Sequence, residues 1–405
     1  MKFDLRKSRL HSLDALRTVA ALAVVLAHWP QHFFAVAKFG RPISDAPFYE
    51  ELAGGYSNGP TAVTFFFCLS GFIFYWLYSD AVHQGKIGFG AFALLRFSRL
   101  YPLHMATLLA LVPLVVVFHA MTGADFIYNN NDAYHFGLNV AFIQYWGVEE
   151  GLSWNGPSWS ISVEIALYLL FFAVCRLLAP NVLQTIGLIL ASMALAHFSS
   201  IAAGSIAFFA GGLAYHGFGR AQRHRTVSAV AIAVLTTILI WRLFGPLTEG
   251  DVARRAVESL RNVIPSGSID DLLLRGLLIF CGRARELALF PSLIFTFAFL
   301  ESATPQLPWH VLAKLGHISF GVYLLHFPMQ LAVMIIALAL SWPGDVFTWP
   351  ITFMGFFSCL LLSAFASYRY LERPAMVAVR HRKSHLAVPS NDINAKNSID
   401  AVATK

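Results

Sequence analysis

From Leu177 to Gly219 the chain carries no Asp, Glu, Lys or Arg, a stretch long enough for two tightly connected helices that split near His197-Phe198-Ser199-Ser200. A run of this kind restricts the fold severely. In hydrocarbon every backbone N–H and C=O must be satisfied within the segment, so a spanning element is a helix of roughly 20 apolar residues. The pattern recurs along the chain, with ten candidate spans near 13–35, 60–78, 100–120, 159–178, 182–198, 200–218, 226–244, 285–301, 318–340 and 347–369. The weakest is 285–301, because Arg275, Arg283 and Arg285 crowd its start. Soluble domains are about a quarter charged, whereas this 405-residue chain is 13% charged and 57% apolar. The expected fold class is therefore all-α, a polytopic integral membrane protein.

Loop charges orient it. Lys and Arg accumulate on the cytoplasmic side of short loops. The N-terminus, the loop with Lys86 leading to Arg96 and Arg99, the loop with Arg220, Arg223 and Arg225, and the C-terminal Arg369 to Lys383 are basic. Ala120 to Ser158 has no Lys or Arg but carries Asp125, Asp132, Glu149 and Glu150. Ten spans with both termini cytoplasmic satisfy these signs, the long mixed loop 245–284 excepted; long loops follow the rule poorly. Residues 1–12 read as a basic cytoplasmic N-terminus, 13–375 as one membrane domain and 376–405 as a polar, disordered cytoplasmic tail. The net charge of +7 lies in short loops and at the ends, so it does not indicate nucleic acid. Cys68, Cys175, Cys281 and Cys359 lie in apolar runs without a Cys-x-x-Cys pair, so they read as packing residues and no metal site is expected. A cleaved secretory signal ending near Ala35-Val36-Ala37 is disfavoured by the spans that follow.

Polar residues within the spans are few. Arg17 and His28 are eleven residues apart on an apolar run. That is close to three turns, so they share a helix face roughly 16 Å apart. Asp14, three residues before Arg17, can pair with it. Arg96 and Arg99 stand at i and i+3, a shared face with two donor forks suited to phosphate oxygens. Ser160 and Glu164, four apart, face the same way, with Ser162 between them. An intramembrane carboxylate needs a partner or a proton, and a Glu that orients a His is a familiar general-base arrangement. Ser70 and Gly71 in the second span, where Gly71 allows close helix approach, and Tyr323 with His326 in the ninth complete the set. Each also has a plain structural reading: snorkelling for Arg17, anchoring for the arginines, a satisfied core histidine for His28 or His326.

In order along the chain come Leu13-Asp14-Ala15-Leu16-Arg17 with His28, Phe66-Phe67-Cys68-Leu69-Ser70-Gly71-Phe72, Arg96-x-x-Arg99 before Tyr101-Pro102, Ser158-Trp159-Ser160-Ile161-Ser162-Val163-Glu164, Ile318 to His326, and Glu372-Arg373-Pro374. Over about residues 10–375 this resembles the membrane acyltransferase-3 family, whose bacterial members O-acylate exopolysaccharides, O-antigens, Nod factors, glucans and some antibiotics. Phe320 stands where the family usually has Tyr, and Arg96 alone replaces a more usual basic pair. The chain looks like the stand-alone form, without a fused extracytoplasmic domain.

The resemblance implies an acyltransferase of the bacterial cytoplasmic membrane that transfers groups other than aminoacyl groups. Its co-substrate would be cytoplasmic acyl-CoA, most often acetyl-CoA, with no permanently bound cofactor. The acceptor would be a glycan or lipid-linked saccharide, and association with a second copy or with polysaccharide-synthesis machinery is compatible with it. Arg96 and Arg99, with Arg17, would hold the CoA phosphates, and His28 helped by Glu164 would deprotonate the acceptor hydroxyl; an acyl-His relay is the variant. Ser70, Gly71, Ser160, Ser162, Asp14, Tyr323 and His326 would support the site. Acceptor contacts are expected from the outer loops 30–59 and 120–157, whose Phe48, Tyr49, Tyr56, Tyr128, Tyr134, Tyr145, Trp146 and Trp154 could stack on sugars, interfacial anchoring explaining them at least as well. Two other readings remain, a transporter using Arg, His and Glu as a relay and a non-catalytic partner of a glycan synthase.

Overall fold

The computed structural model describes residues 10–57, 59–222, 283, 285–309 and 316–386. The expected span at 226–244 and most of the loop 245–284 lie outside the described residues, as do residues 1–9 and 387–405 of the two terminal segments. In chain order the helices are α1 (His11–Phe33), α2 (Tyr49–Ser57), α3 (Gly59–His83), α4 (Phe89–Thr122), α5 (Ala133–Val140), α6 (Trp159–Leu178), α7 (Val182–Leu195) and α8 (Ser200–Ala221). They continue as α9 (Phe290–Ala303), α10 (Ser319–Ala339), α11 (Pro350–Ser367) and α12 (Arg373–Leu386), with no strand among the described residues.

Seven of these are long and apolar enough to cross a membrane: α1, α3, α4, α6, α8, α10 and α11, the last extended to Val379. Two expected spans fall short. α7 has 14 residues, about 21 Å at 1.5 Å per residue against a hydrocarbon core of roughly 30 Å, and α9 with the π-helical turn leading into it makes an apolar helix only from Leu287 to Ala303. α4 differs in the other direction. Its 34 residues run through Arg96 and Arg99 and extend about 51 Å, so the arginines ride on the helix itself rather than on a loop leading into it.

The chain divides into two compact units, one of residues 1–20, 60–84 and 163–316, the other of residues 21–59, 85–162 and 317–405. In the first, α3 and α8 touch backbone to backbone. A Cβ on Gly71 would lie 1.8 Å from the carbonyl oxygen of Phe208, and one on Gly211 would lie 1.9 Å from that of Cys68. Small residues permit such approach where dispersion rather than water expulsion holds helices together. α7 begins in a capping box, the Asn181 carboxamide accepting from the Gln184 N–H and the Gln184 side chain accepting from the Asn181 N–H, both at 3.0 Å.

The start of α1 is capped from far along the chain. Glu301 on α9, 8% exposed, accepts from the His11 N–H at 2.8 Å and the Ser12 N–H at 2.7 Å. Ser12 Oγ in turn donates to the Phe297 carbonyl at 3.2 Å. A helix start leaves N–H groups without intrahelical partners and carries partial positive charge, and a carboxylate answers both.

In the second unit α10 packs on α4 and α11. Trp29, fully buried, donates from Nε1 to the Phe347 carbonyl at 3.1 Å and meets the rings of Phe33, Phe353 and Phe356 at 4.6, 5.1 and 5.5 Å. The middle of α1 is thereby fixed in its own unit by aromatic packing.

Replacing Glu301 by Ala would leave two N–H groups at the start of α1 without their charged acceptor. A loss of about 1–3 kcal/mol is expected, read as a lowered thermal transition of the detergent-solubilised protein, with Glu301→Gln intermediate.

Candidate functional site

The second unit gathers three imidazoles on parallel planes. His28 and His32, one turn apart on α1, have ring centroids 4.7 Å apart. The His28 and His326 rings, at 5.0 Å, lie within 9° of parallel. His28 Nδ1 is 3.0 Å from His326 Nε2, and His32 Nδ1 is 2.7 Å from Gln330 Oε1. Both pairs are separated by 298 residues. That constant offset means that α1 and α10 run in the same direction, in register. The Gln330 carboxamide also donates to the His28 carbonyl at 3.3 Å. His32 and His326 are buried, 1% and 0% exposed. His28 is half-buried, the least enclosed of the three.

Both helices carry a proline two residues after the histidine, Pro30 and Pro328. Proline at 328 has no N–H to give the Leu324 carbonyl, its i−4 acceptor. Asn155, 1% exposed, supplies the missing donor through Nδ2 at 3.2 Å and also donates to Thr107 Oγ1 at 3.3 Å. Beside it the Tyr323 hydroxyl donates to the Pro157 carbonyl at 2.5 Å. It accepts from Ser160 Oγ at 2.7 Å, since its own proton is committed to a carbonyl. Two expected residues, Ser160 and Tyr323, are therefore joined, and they hold the turn of α10 that carries His326. Ser162 has a different task. Its hydroxyl donates to the Phe142 carbonyl at 3.0 Å and accepts the Tyr145 N–H at 3.2 Å, folding the 142–146 loop onto α6.

Glu164, expected to orient His28, has other partners. Its Oε1 accepts from Ser70 Oγ at 2.7 Å and from the Tyr168 hydroxyl, all three in the first unit. The hydrogen-bond partner of His28 is His326, in the second. Sequence spacing aligned Ser160 with Glu164 on one face but could not say what stood opposite each. Arg17 and Asp14 do form the expected i, i+3 pair, with 3.8 Å between charged atoms.

Arg99 lies in the electrostatic field of Glu372, a 3% exposed carboxylate that accepts from Ser367 Oγ at 3.0 Å. Glu372 ends a π-helical turn, Tyr368–Glu372, which joins α11 to α12 and packs against α4. π-turns of this kind recur at functional positions. Arg96, on the same face of α4, is half-buried.

Within the same unit a cavity of about 470 Å³ is lined by His119, Asp125, Asn129, Asn131 and Asp132. Asp132 caps α5 through the His135 N–H at 2.8 Å, and this bond first, then that from the His135 ring, holds its carboxyl below the ordinary range. Two of the aromatics considered for sugar stacking are occupied elsewhere. Tyr56 is 2% exposed and Trp154 8%, the first donating to the Pro47 carbonyl at 2.8 Å and the second to that of Asp132 at 3.2 Å. Tyr134 is exposed.

Comparison with known proteins covers most of the chain. A family model described as an acyltransferase domain matches residues 10–368. Among curated relatives, the "Acyltransferase MdmB" of Streptomyces mycarofaciens is 34% identical over 171 residues, 41% of this chain and 39% of that protein. The "Protein 2 in picA locus" of Rhizobium radiobacter is 38% identical over 96 residues, 24% of this chain and 40% of that protein. The matches thus span about two fifths of the length of either relative. No solved structure matches.

The brace behind His326 can be measured. Asn155→Ala should cost about 1–3 kcal/mol of stability by leaving the Leu324 carbonyl unpaired. Pro328→Ala restores an N–H to that carbonyl, so combining the two should recover part of the loss. Thermal transitions of the two single variants and the double variant form the cycle, and simple additivity would refute the pairing.

Proposed function

The chain belongs to the acyltransferase family whose domain model spans residues 10–368, and on that premise we propose that it is an integral membrane O-acyltransferase. It moves an acyl group, acetyl in the simplest case, from cytoplasmic acyl-CoA to a hydroxyl of a glycan or lipid-linked saccharide, in the cytoplasmic membrane of a bacterium. One observation carries the reading: the half-buried imidazole of His28 is held by hydrogen bond against the buried one of His326 within two long, largely apolar helices. A polar group so placed is costly in a membrane unless it has work there.

The chemistry is proton transfer coupled to ester formation. His28 takes the proton of the acceptor hydroxyl as that oxygen attacks the thioester carbonyl. The tetrahedral centre collapses, the carbon–sulfur bond breaks, and the proton passes from His28 to the departing CoA thiolate. The products are the O-acyl ester and free CoA. Arg96 and Arg99 bind the donor phosphates with guanidinium forks. The long run of α4 below the span puts the two arginines on a rigid element. The acceptor approaches from the segment around the 120–157 loop, where the carboxylates and amides lining the cavity can accept hydroxyl hydrogens.

Purified protein in nanodiscs, labelled acetyl-CoA and the glycan fraction of a strain lacking the gene make the test. Label should enter the glycan. His28→Ala should lower the transfer rate about 10²- to 10⁴-fold in protein that still unfolds in one cooperative thermal transition. Arg96→Ala should raise KM for acetyl-CoA about tenfold or more, the scale of a lost charge-assisted hydrogen bond. Transfer that survives His28→Ala would refute the mechanism, and solute uptake without acylation would favour a transporter.

A further inference from the structure

The proton positions on the two facing imidazoles follow from what surrounds them. His326 Nδ1 lies 2.5 Å from the backbone carbonyl oxygen of Tyr323. A carbonyl can only accept, so His326 Nδ1 bears the hydrogen. In the neutral ring His326 Nε2 is then a lone pair, and it faces His28 Nδ1 at 3.0 Å. A hydrogen bond between them requires the hydrogen on His28 Nδ1. That leaves His28 Nε2 unprotonated, the nitrogen a base must present. The tautomer of the half-buried histidine is thus set by a fully buried one, and that in turn by a main-chain carbonyl.

We infer that His326 is a positioning residue for acyl transfer, holding His28 in the Nδ1–H tautomer and accepting from Nδ1 while His28 carries the substrate proton. The inference rests on the reading of His28 as the base. It assigns to an imidazole the place that a carboxylate holds in Ser-His-Asp sites, where the third group fixes tautomer and ring orientation. No covalent step is added: the proton taken by Nε2 leaves from Nε2 to the thiolate, and the Nδ1–H stays in its bond to His326. The geometry suits that duty. His326 is 0% exposed, so water does not compete for Nε2. Its own turn of α10 is anchored by Tyr323 to Pro157 and Ser160, and by Asn155 to the Leu324 carbonyl. The backbone acceptor that starts the sequence of bonds is therefore itself fixed.

Two amides separate positioning from support. The carboxamide of Gln reaches about where Nε2 of His stands and can accept from His28 Nδ1. The carboxamide of Asn reaches about as far as Nδ1, so it can keep the bond to the Tyr323 carbonyl but falls short of His28. In nanodiscs with labelled acetyl-CoA and the extracted glycan fraction, His326→Asn should lose about 10²- to 10⁴-fold in kcat at nearly constant KM for acetyl-CoA, the range of a lost or misdirected base. His326→Gln should regain at least tenfold of that. Equal activity of the two variants, or a kcat for His326→Asn within about threefold of wild type, would overturn the inference. His28→Ala run alongside keeps the outcomes apart. If it transfers normally, the base reading itself fails. If it is inactive while His326→Asn is fully active, only the role of His326 fails.

Discussion

A polar group inside a bilayer finds its partner in the protein or it finds none. The segment from Leu324 to Pro328 shows how far that constraint reaches. Proline removes one donor from α10, and the carbonyl it strands is met by Asn155, whose second hydrogen goes to Thr107 on α4. Three elements of the second unit are tied together because one N–H is absent. The same turn carries His326, with its Nδ1 on the Tyr323 carbonyl. His326 therefore sits on a turn of α10 that is tied to its neighbours through Asn155 and Tyr323.

The periodicity of the sequence made the helices legible and left their partners obscure. Apolar length located all seven long helices, and the i, i+3 and i, i+4 spacings put Asp14 with Arg17 and Arg96 with Arg99 on shared faces, because these are properties of a single helix. Ser160 and Tyr323 were both singled out, yet only the fold shows that they bond each other. Glu301 escaped notice: one acid at the end of a weak apolar run looks like a loop charge until α1 is seen to start against it, 290 residues away in sequence. Gly211 escaped for the same reason, since its value lies in the backbone of Cys68. A signal for His326 was present, the repeated His-x-Pro at His28-Trp29-Pro30 and His326-Phe327-Pro328. It reads as a pair only once the two helices are known to run parallel.

The partners of Glu164 within its own unit have a physical reason. A carboxylate in hydrocarbon requires donors, and Ser70 and Tyr168 provide two hydroxyls within its own unit. Tyr168 is one turn along the same helix, so half of that solution was written into the i, i+4 spacing of α6.

An imidazole behind the base differs from a carboxylate in a way that suits this setting. A buried carboxylate brings a permanent charge that must be desolvated whether or not the reaction is proceeding. His326 brings none. Under the proposed mechanism both rings of the resting pair are neutral, linked by an N–H···N bond, and charge appears only when His28 takes the substrate proton. It disappears when that proton leaves on the thiol. The second ring can accept from the imidazolium during that interval, and the Tyr323 carbonyl polarises the second ring in turn. A neutral orienter gives less stabilisation to the charged intermediate than an anion would, but it imposes no standing charge on an apolar helix pair. For a reaction that returns the proton to its leaving group, a transient cation is all the site has to support.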